Sequence, residues 1–364
     1  MSVAPIFAVD CAAPTPLLSL TTSIQGAFAK GVAPLAIDDC SGGAYFLRST
    51  SHRLEAIFKP SDEEPFAVHT PKPPTSPEET GPMRAGIPLG EMALRECMAY
   101  LVDDERLAHV PPTALATGRH KAFHSLTLKR GSVQLYAPHD CSSEDLGPAQ
   151  FPITDVHAIA LLDLRLVNQD RHPGNILVQR TAGNRLIPID HGCVLPEYDA
   201  MGETQLTWLH WPQARQPLAA TTKAYVARLN ATSQLQAWRR QYPTVAFPTK
   251  AAVTLHLGTK FVQLCVARGL SVYEMGRLQV RDDLDAPSTF ECVVEAAVQD
   301  LGQRAPWTHL NELLGCFQRR LETALRMEFP AYFLKAPRFV PLPSPKDQEK
   351  VRKSPVKVLL SSAA

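Results

Sequence analysis

The chain has 364 residues, 45% of them apolar, and a formal net charge of +1 at pH 7. This length and apolar content can fill one large core or two lobes, and the balanced charge gives no case for nucleic acid as a partner. The cysteines show neither a CxxC pair nor metal-ligand spacing, so we expect reduced, mostly buried thiols. No uncharged apolar run reaches the roughly 18 residues of a spanning helix, and the N-terminus lacks the basic stretch of a secretory signal. These features predict a cytoplasmic protein, with peripheral contact to membranes left open.

Residues 21–135 are predicted to form a small lobe rich in β-strands. Residues 1–20 are interrupted by prolines, and we expect a loose leader there. Residues 23–37 have the pattern of a short helix. Two apolar runs, 43–49 and 53–59, predict a strand hairpin.

Small residues precede the first of these strands, in the order Ser41, Gly42, Gly43 and Ala44. Glycine has no Cβ, so backbone amides in such a turn can approach an anion. A Gly-Gly pair taken alone is more often a simple hairpin turn. Lys59 lies at the end of the second strand, where a lysine taken alone is usually exposed to solvent.

Residues 69–88 hold six prolines and cannot form a regular element, so we expect a disordered insertion. A helix is predicted at 89–103, and it carries Glu91 and Glu96. One of these carboxylates should hold Lys59 in place. Glu96 is the first choice and Glu91 the alternative.

Residues 133–136, VQLY, fit a hinge strand at the border of a second, mostly helical lobe. Residues 155–167 predict a helix that leads into the loop after it, and 251–270 predict a core helix of the second lobe.

The most informative segments are LDLRLVNQDRHPGNIL (162–177) and IPIDHG (187–192). Phosphoryl transfer requires a carboxylate that orients the attacking hydroxyl, and an amide oxygen and a second carboxylate that hold Mg²⁺. Asp170, Asn175 and Asp190 supply these groups in that order. Two short apolar runs around a turn separate the last two residues, so a hairpin should bring them within about one strand spacing, ~5 Å.

The DRHPGN and IDHG segments resemble the DRHxxN and DxG motifs of the phosphatidylinositol 3- and 4-kinase superfamily. Further segments are similar to the type II phosphatidylinositol 4-kinases and, more closely, to their plant-type gamma branch. These segments are SGGAYFL (41–47), AIFKPSDEEPFAV (56–68), LGEMALRECMAYLVD (89–103), VPPT (110–113), GSVQLY (131–136) and WPQARQP (211–217). The resemblance extends from about residue 21 to about residue 300, and departs in the proline-rich insertion, where the family has a short Asn-Asn-Pro segment.

The resemblance implies an α+β, bilobal protein-kinase-like fold with ATP and Mg²⁺ as cofactors and transfer of the γ-phosphate to an inositol hydroxyl. The N-lobe would span about 21–135 and the C-lobe about 137–335. The turn at 41–44 would cover the nucleotide phosphates, and Lys59 would contact them as a point charge. Backbone groups of Gln134 and Tyr136 would bond the adenine edge of the nucleotide. His172 would share proton handling with Asp170, whereas Arg171 would brace the loop. His191 stands where protein kinases have the aromatic residue of DFG, and we expect it to pack or to form hydrogen bonds.

The acceptor is less well defined by sequence. The activation segment 193–211 holds no lysine or arginine but three acids, Glu197, Asp199 and Glu203, which disfavours a multiply phosphorylated head group. Phosphatidylinositol and a protein acceptor, as in a Ser/Thr protein kinase, both stay open. A nucleotide-binding scaffold with vestigial activity is a third hypothesis, against which the intact catalytic residues argue.

Two further segments bear on membrane contact. Trp208 and Trp211 could enter a bilayer interface, although tryptophans three residues apart more often pack beneath a loop. The tail, 336–364, is rich in proline and charge, and we expect disorder there. Its lysines and arginine could approach an anionic leaflet.

Overall fold

A computed structural model describes residues 4–10, 13–72 and 81–333. Within this range the buried apolar side chains form two cores, a smaller one beneath an N-terminal sheet and a larger one among the helices that follow. The predicted α+β, bilobal architecture is therefore confirmed. The tail 336–364 lies outside the described residues.

The N-terminal sheet is antiparallel throughout and has the strand order β1-β5-β6-β4-β3-β2. Its strands are β1 (Ile6–Val9), β2 (Leu35–Ala36), β3 (Tyr45–Arg48), β4 (Leu54–Pro60), β5 (Thr113–Arg119) and β6 (Lys129–Leu135). Helix α1 (Thr15–Ala29) covers one face of this sheet. Buried and half-buried residues alternate along β3 and β4, as expected for strands with one face on a core.

The expectation of a loose leader is wrong for residues 6–9. They form an edge strand paired with β5, in which Ile6 lies opposite Arg119. Phe7 is fully buried and meets Phe58 edge to face, with ring centroids 5.7 Å apart. Helix α1 also begins earlier than predicted, because proline is tolerated in the first turn of a helix, where its missing N–H has no partner to lose.

The predicted disordered insertion is also wrong in its last third. Residues 73–80 lie outside the described residues, but 81–88 pack against the C-lobe, and Ile87 is buried. The amide of Glu197 donates to Gly86 O at 2.8 Å. Gly86 has φ +72°, and a Cβ there would lie 2.6 Å from Ala200 O, so the position requires glycine. These partners are more than a hundred residues away in sequence, so local composition did not reveal them.

Helix α2 (Met92–Val102) connects the two lobes. It packs against β5 and β6, yet Cys97, Met98, Ala99 and Val102 belong to the larger core. Its C-terminal end is therefore anchored among the helices of the C-lobe.

The C-lobe is mainly helical. Its helices are α3 (Ile153–Leu166), α4 (Ala220–Arg228), α5 (Ala231–Gln241), α6 (Thr249–Arg268), α7 (Val272–Gln279), α8 (Thr289–Leu301) and α9 (Leu310–Glu328). Helices α3 and α6 cross at Gly258, where a Cβ would overlap the carbonyl of Arg165. A small antiparallel sheet of β7 (Cys141–Ser142), β8 (Ile176–Gln179) and β9 (Arg185–Pro188) contains the predicted hairpin. None of the helices in the described part of the chain has the length and hydropathy to cross a bilayer.

The buried edge strand leads to a stability prediction. We expect Phe7→Ala to lower the free energy of unfolding by about 3–5 kcal/mol, since truncating a buried phenylalanine removes apolar contacts and leaves a cavity. Leu18→Ala on α1, where the side chain is 44% exposed, is the matched control and should change it by less than about 1 kcal/mol. Denaturant unfolding of both variants measures the effect. Equal losses would show that β1 is not part of the core.

Candidate active site

Lys59 lies at the centre of a charge cluster in the cleft between the lobes. It alternates with buried Phe58 along β4 and so projects from the opposite face of the strand. Its Nζ lies 2.7 Å from Glu96 Oε1 and 3.0 Å from Asp190 Oδ1. Glu91 instead pairs with Arg95, at 2.7 Å. Of the two predicted carboxylates, the structure therefore places Glu96 beside Lys59.

Burial and charge act in opposite directions on this cluster. Burial alone would lower the pKa of Lys59, but Asp190 and Glu96 outweigh it and hold that pKa above its usual range. Burial raises the pKa of Glu96, whereas the pKa of Asp190 is lowered because Lys59 overcomes its burial. Lys59 therefore stays protonated, as a phosphate-binding lysine must.

Arg171 braces the catalytic loop, as expected. The side chain is fully buried, and its Nε lies 3.0 Å from Asp163 Oδ2. Its Nη1 donates to Asn175 O at 2.6 Å and to Ile189 O at 2.7 Å, so it ties both ends of the β8–β9 hairpin to the loop. These contacts leave Arg171 a positioning role rather than a chemical one.

Asp163 is a site residue that the sequence analysis missed. Besides Arg171, its carboxylate accepts hydrogen bonds from Asn168 Nδ2 at 2.8 Å and Trp208 Nε1 at 2.9 Å. The available signal was an acidic residue within the apolar stretch of helix α3 that runs from 158 to 164.

Trp208 and Trp211 are both buried, so they pack within the lobe, the second of the two placements considered for them.

Asn175 and Asp190 lie at facing ends of the β8–β9 hairpin. Ile189 N donates to Asn175 O at 3.0 Å, which places Asp190 beside Asn175. The Nδ2 of Asn175 donates to Asp170 O at 2.9 Å and so leaves the amide oxygen as the outward-facing group. A carboxylate and an amide oxygen are ligands that suit a hard divalent cation. Asp190 has φ +54°, a left-handed conformation in which Asp is one of the more tolerated non-glycine residues.

The turn before β3 differs from the expected phosphate cradle. The amide of Gly43 donates to Glu63 O at 2.7 Å, so it does not face an anion. A Cβ on Gly43 would overlap the Glu63 side chain, and one on Gly42 would lie 2.8 Å from Glu63 O. Ala44 is buried, and Ser41 is exposed. These positions hold glycine because only a residue without a Cβ can pack this closely against the segment after β4. A turn motif in the sequence does not reveal this contact.

The hinge offers fewer free backbone donors than expected. Tyr136 N donates to Glu55 O at 2.9 Å and Leu135 N donates to Pro112 O at 2.8 Å, so both amides are engaged within the N-lobe. The side chain of Gln134 bonds Thr113 Oγ1. A contact between adenine and the backbone of Tyr136 would therefore use its carbonyl oxygen, and the contact expected of the Gln134 backbone stays a prediction.

Asp170 has a partner that sequence analysis did not anticipate. Its Oδ1 accepts a hydrogen bond from Arg84 Nη2 at 2.6 Å, and Arg84 belongs to the proline-rich stretch that was expected to be disordered. His172 follows in the loop, with its amide bonded to Asp170 O. It lines a cavity of about 480 Å³ between the catalytic loop, residues 203–207 and α7.

His191 is buried beside the charge cluster. Its amide donates to Glu96 Oε2 at 3.0 Å, and its ring nitrogens have no hydrogen-bond partner among the described residues. Burial, reinforced by the charge of Arg171, holds its pKa well below the usual range. His191 therefore packs as a neutral ring, one of the two roles expected of it.

These elements define a phosphotransferase site of the protein-kinase-like class: a strand lysine held by a helix glutamate, a braced catalytic loop and an Asn-Asp pair across a hairpin. The family model for phosphatidylinositol 3- and 4-kinases matches residues 41–274, more than half of the chain, and the chain belongs to that family. Membership in a kinase family implies ATP and a divalent cation as cofactors. The predicted kinase-like fold is confirmed with it.

Individual relatives lie in the gamma branch that the sequence motifs resemble. The chain is 36% identical over 318 residues to phosphatidylinositol 4-kinase gamma 4 of Arabidopsis thaliana, covering 82% of this chain and 55% of that protein. It is 37% identical over 282 residues to phosphatidylinositol 4-kinase gamma 4 of Oryza sativa subsp. japonica, covering 74% and 49%. The chain thus spans about half the length of the curated relatives it matches.

Glu64 is a buried carboxyl group at the start of α2, the helix that carries Glu96. Its carboxylate accepts hydrogen bonds from the amides of Gly90, at 2.7 Å, and Met92, at 3.0 Å, and so caps the start of α2 from a neighbouring segment. Burial outweighs these bonds and raises the pKa of Glu64 to about 7. The folded protein therefore binds this proton more tightly than the unfolded chain does.

This raised pKa leads to a pH prediction. Between the unfolded pKa of 4.5 and the folded value of about 7, the contribution of Glu64 to stability should fall as pH rises. Relative to Glu64→Gln, which cannot titrate, the wild type should lose up to ~3 kcal/mol of unfolding free energy across this window. Urea titrations on either side of it measure the difference, with exposed Glu295→Gln as control. A difference that does not vary with pH would contradict the assignment.

Proposed function

We propose that the protein is an ATP- and Mg²⁺-dependent phosphatidylinositol 4-kinase that transfers the γ-phosphate of ATP to an inositol hydroxyl. The observation that carries the proposal is the Lys59–Glu96–Asp190 cluster, in a chain that belongs to the phosphatidylinositol 3- and 4-kinase family. The relatives named phosphatidylinositol 4-kinase supply the substrate class.

Each group has a role in the transfer. Lys59 contacts the nucleotide phosphates, and Asp170 orients the inositol hydroxyl. As the hydroxyl oxygen bonds to the γ-phosphorus, the bond from that phosphorus to the β–γ bridging oxygen breaks and ADP leaves. The hydroxyl proton passes to Asp170, with His172 near enough in the loop to help return it to solvent.

Asn175 and Asp190 would hold Mg²⁺. Asp190 lies 3.0 Å from Lys59, so a phosphate bound by Lys59 also faces the Asp190 carboxylate. A cation between the two anions offsets their repulsion, and both available ligands are oxygens of the kind Mg²⁺ prefers. When bound, Mg²⁺ neutralises charge on the phosphates during transfer.

The other two hypotheses are less favoured. A Ser/Thr protein kinase would need the same cluster, but the relatives are named as lipid kinases. A vestigial scaffold would be expected to have lost one of the groups that this site retains. The cytoplasmic location, the peripheral contact with membranes and the absence of nucleic acid among the partners remain predictions.

The metal assignment predicts that Asp190→Asn abolishes kinase activity in a folded protein. Losing the metal carboxylate should reduce turnover at least about a hundredfold, since charge stabilisation supplies most of the rate enhancement in phosphoryl transfer. The assay uses radiolabelled ATP with phosphatidylinositol in mixed micelles. Asp285→Asn, at an exposed loop position, is the matched control.

A generic protein, offered as acceptor in parallel, distinguishes the acceptor classes. Label on the lipid supports the lipid-kinase proposal, and label on the protein alone would refute it. Turnover of Asp190→Asn within tenfold of wild type would refute the metal role.

A further inference from the structure

An anionic acceptor needs cationic partners near the catalytic carboxylate. Arg215, Arg277 and Arg281 line the cavity beside His172, but among the described residues none of them is paired with Asp170. Phosphatidylinositol carries a phosphodiester, and its reacting hydroxyl must reach the carboxylate of Asp170. The activation segment offers no cation of its own. Two of its acids are neutralised from α6, because Lys250 lies 3.1 Å from Glu197 and 2.9 Å from Asp199. Neither of these ion pairs supplies a positive charge beside Asp170.

Arg84 is the cation that the structure places beside Asp170. Its Nη2 lies 2.6 Å from Asp170 Oδ1, and its side chain is 35% exposed. Glu203 is close enough for its charge to act on Arg84 as well. Burial alone would lower the pKa of Arg84, but its bond to Asp170 outweighs this and raises that pKa.

Within the described part of the chain, Arg84 has a single side-chain partner. Its Nη2 bonds Asp170, and the buried Nε has no acceptor among the described residues. An arginine fork frequently engages a carboxylate or phosphate through two parallel hydrogen bonds. The single bond to Asp170 leaves this side chain, which is 35% exposed, able to turn toward another anionic oxygen.

The backbone next to Arg84 is fixed by contacts with the activation segment. Gly86 O accepts the amide of Glu197, and Ile87 is buried. Ala85 lies against Gly202, where an added Cβ would be 2.9 Å from Ala85 Cβ. Residues 85–87 therefore hold the backbone of Arg84 beside the catalytic loop, and these contacts do not involve the Arg84 side chain.

We propose that Arg84 is an acceptor-binding residue that recognises the phosphodiester of the inositol lipid. The inference rests on the proposed function, because that function supplies the acceptor. Without acceptor, the guanidinium pairs with Asp170. When acceptor binds, the guanidinium moves to the phosphodiester, so that Asp170 is free to take the hydroxyl proton.

The test uses the head group without its acyl chains. Binding of glycerophosphoinositol, which has the phosphodiester, is compared with binding of myo-inositol, which lacks it, by calorimetry with a non-hydrolysable ATP analogue present. Arg84→Gln removes the charge and Arg84→Lys keeps the charge but loses the fork. Arg239→Gln, at an exposed position of α5, is the control for the change in net charge.

We expect Arg84→Gln to weaken glycerophosphoinositol binding at least about tenfold, and Arg84→Lys to weaken it less, because a charge-assisted hydrogen bond to phosphate is lost. Myo-inositol binding and the KM for ATP should be unchanged. In the kinase assay the KM of Arg84→Gln for phosphatidylinositol should rise. Its flotation with phosphatidylcholine vesicles that contain phosphatidylinositol should stay constant. The two measurements together separate head-group recognition from membrane affinity.

Equal binding of glycerophosphoinositol to wild type and Arg84→Gln, or no measurable binding to either, would overturn the inference. So would a higher turnover of Arg84→Gln at unchanged KM, since Arg84 would then only restrain Asp170. If the wild type transfers no phosphate to the lipid but its binding of glycerophosphoinositol depends on Arg84, the proposed function fails and the inference stands.

Discussion

The buried ion pair between Asp163 and Arg171 determines where the other groups of the site lie. Both side chains are fully buried, and removing two charges from water is costly unless their remaining hydrogen bonds are made. Here they are made, because Arg171 bonds the carbonyls of Asn175 and Ile189 while Asp163 accepts from Trp208. One ion pair thereby fixes the catalytic loop, the two residues that flank the β8–β9 hairpin, and Trp208 near the end of the segment 193–211.

The sequence predicted the features that depend on residues close together in the chain. Two short apolar runs around a turn predicted the β8–β9 hairpin. The resemblance to kinases predicted that Lys59 would meet an acid on α2. Choosing between Glu96 and Glu91 needed the structure, because that choice depends on how α2 is rotated against β4. A structural role for Asp163 could have been predicted from the sequence, because a carboxylate within an apolar stretch of a helix needs a buried partner.

Sequence could not predict features that depend on distant contacts. Strand β1 has an edge position only because β5 lies beside it, and Gly86 is held by Glu197. Proline content suggested disorder in the N-terminal leader and in the insertion. Proline disfavours the interiors of helices and strands, but it does not prevent a segment from packing against the rest of the protein. The charge around the activation segment also depends on distant contacts. Lys250 pairs with Glu197 and Arg84 pairs with Asp170, although both cations come from other elements.

The position of α2 between the two cores has a mechanical consequence. The C-terminal half of this helix packs in the larger core, and Val102 O accepts hydrogen bonds from Arg165 of α3 and Gln234 of α5. The same helix also packs against β5 and β6 of the small lobe, and Glu96 bonds both Lys59 of that lobe and the amide of His191 in the large one. A change in the angle between the lobes would therefore strain one of these two contacts of Glu96.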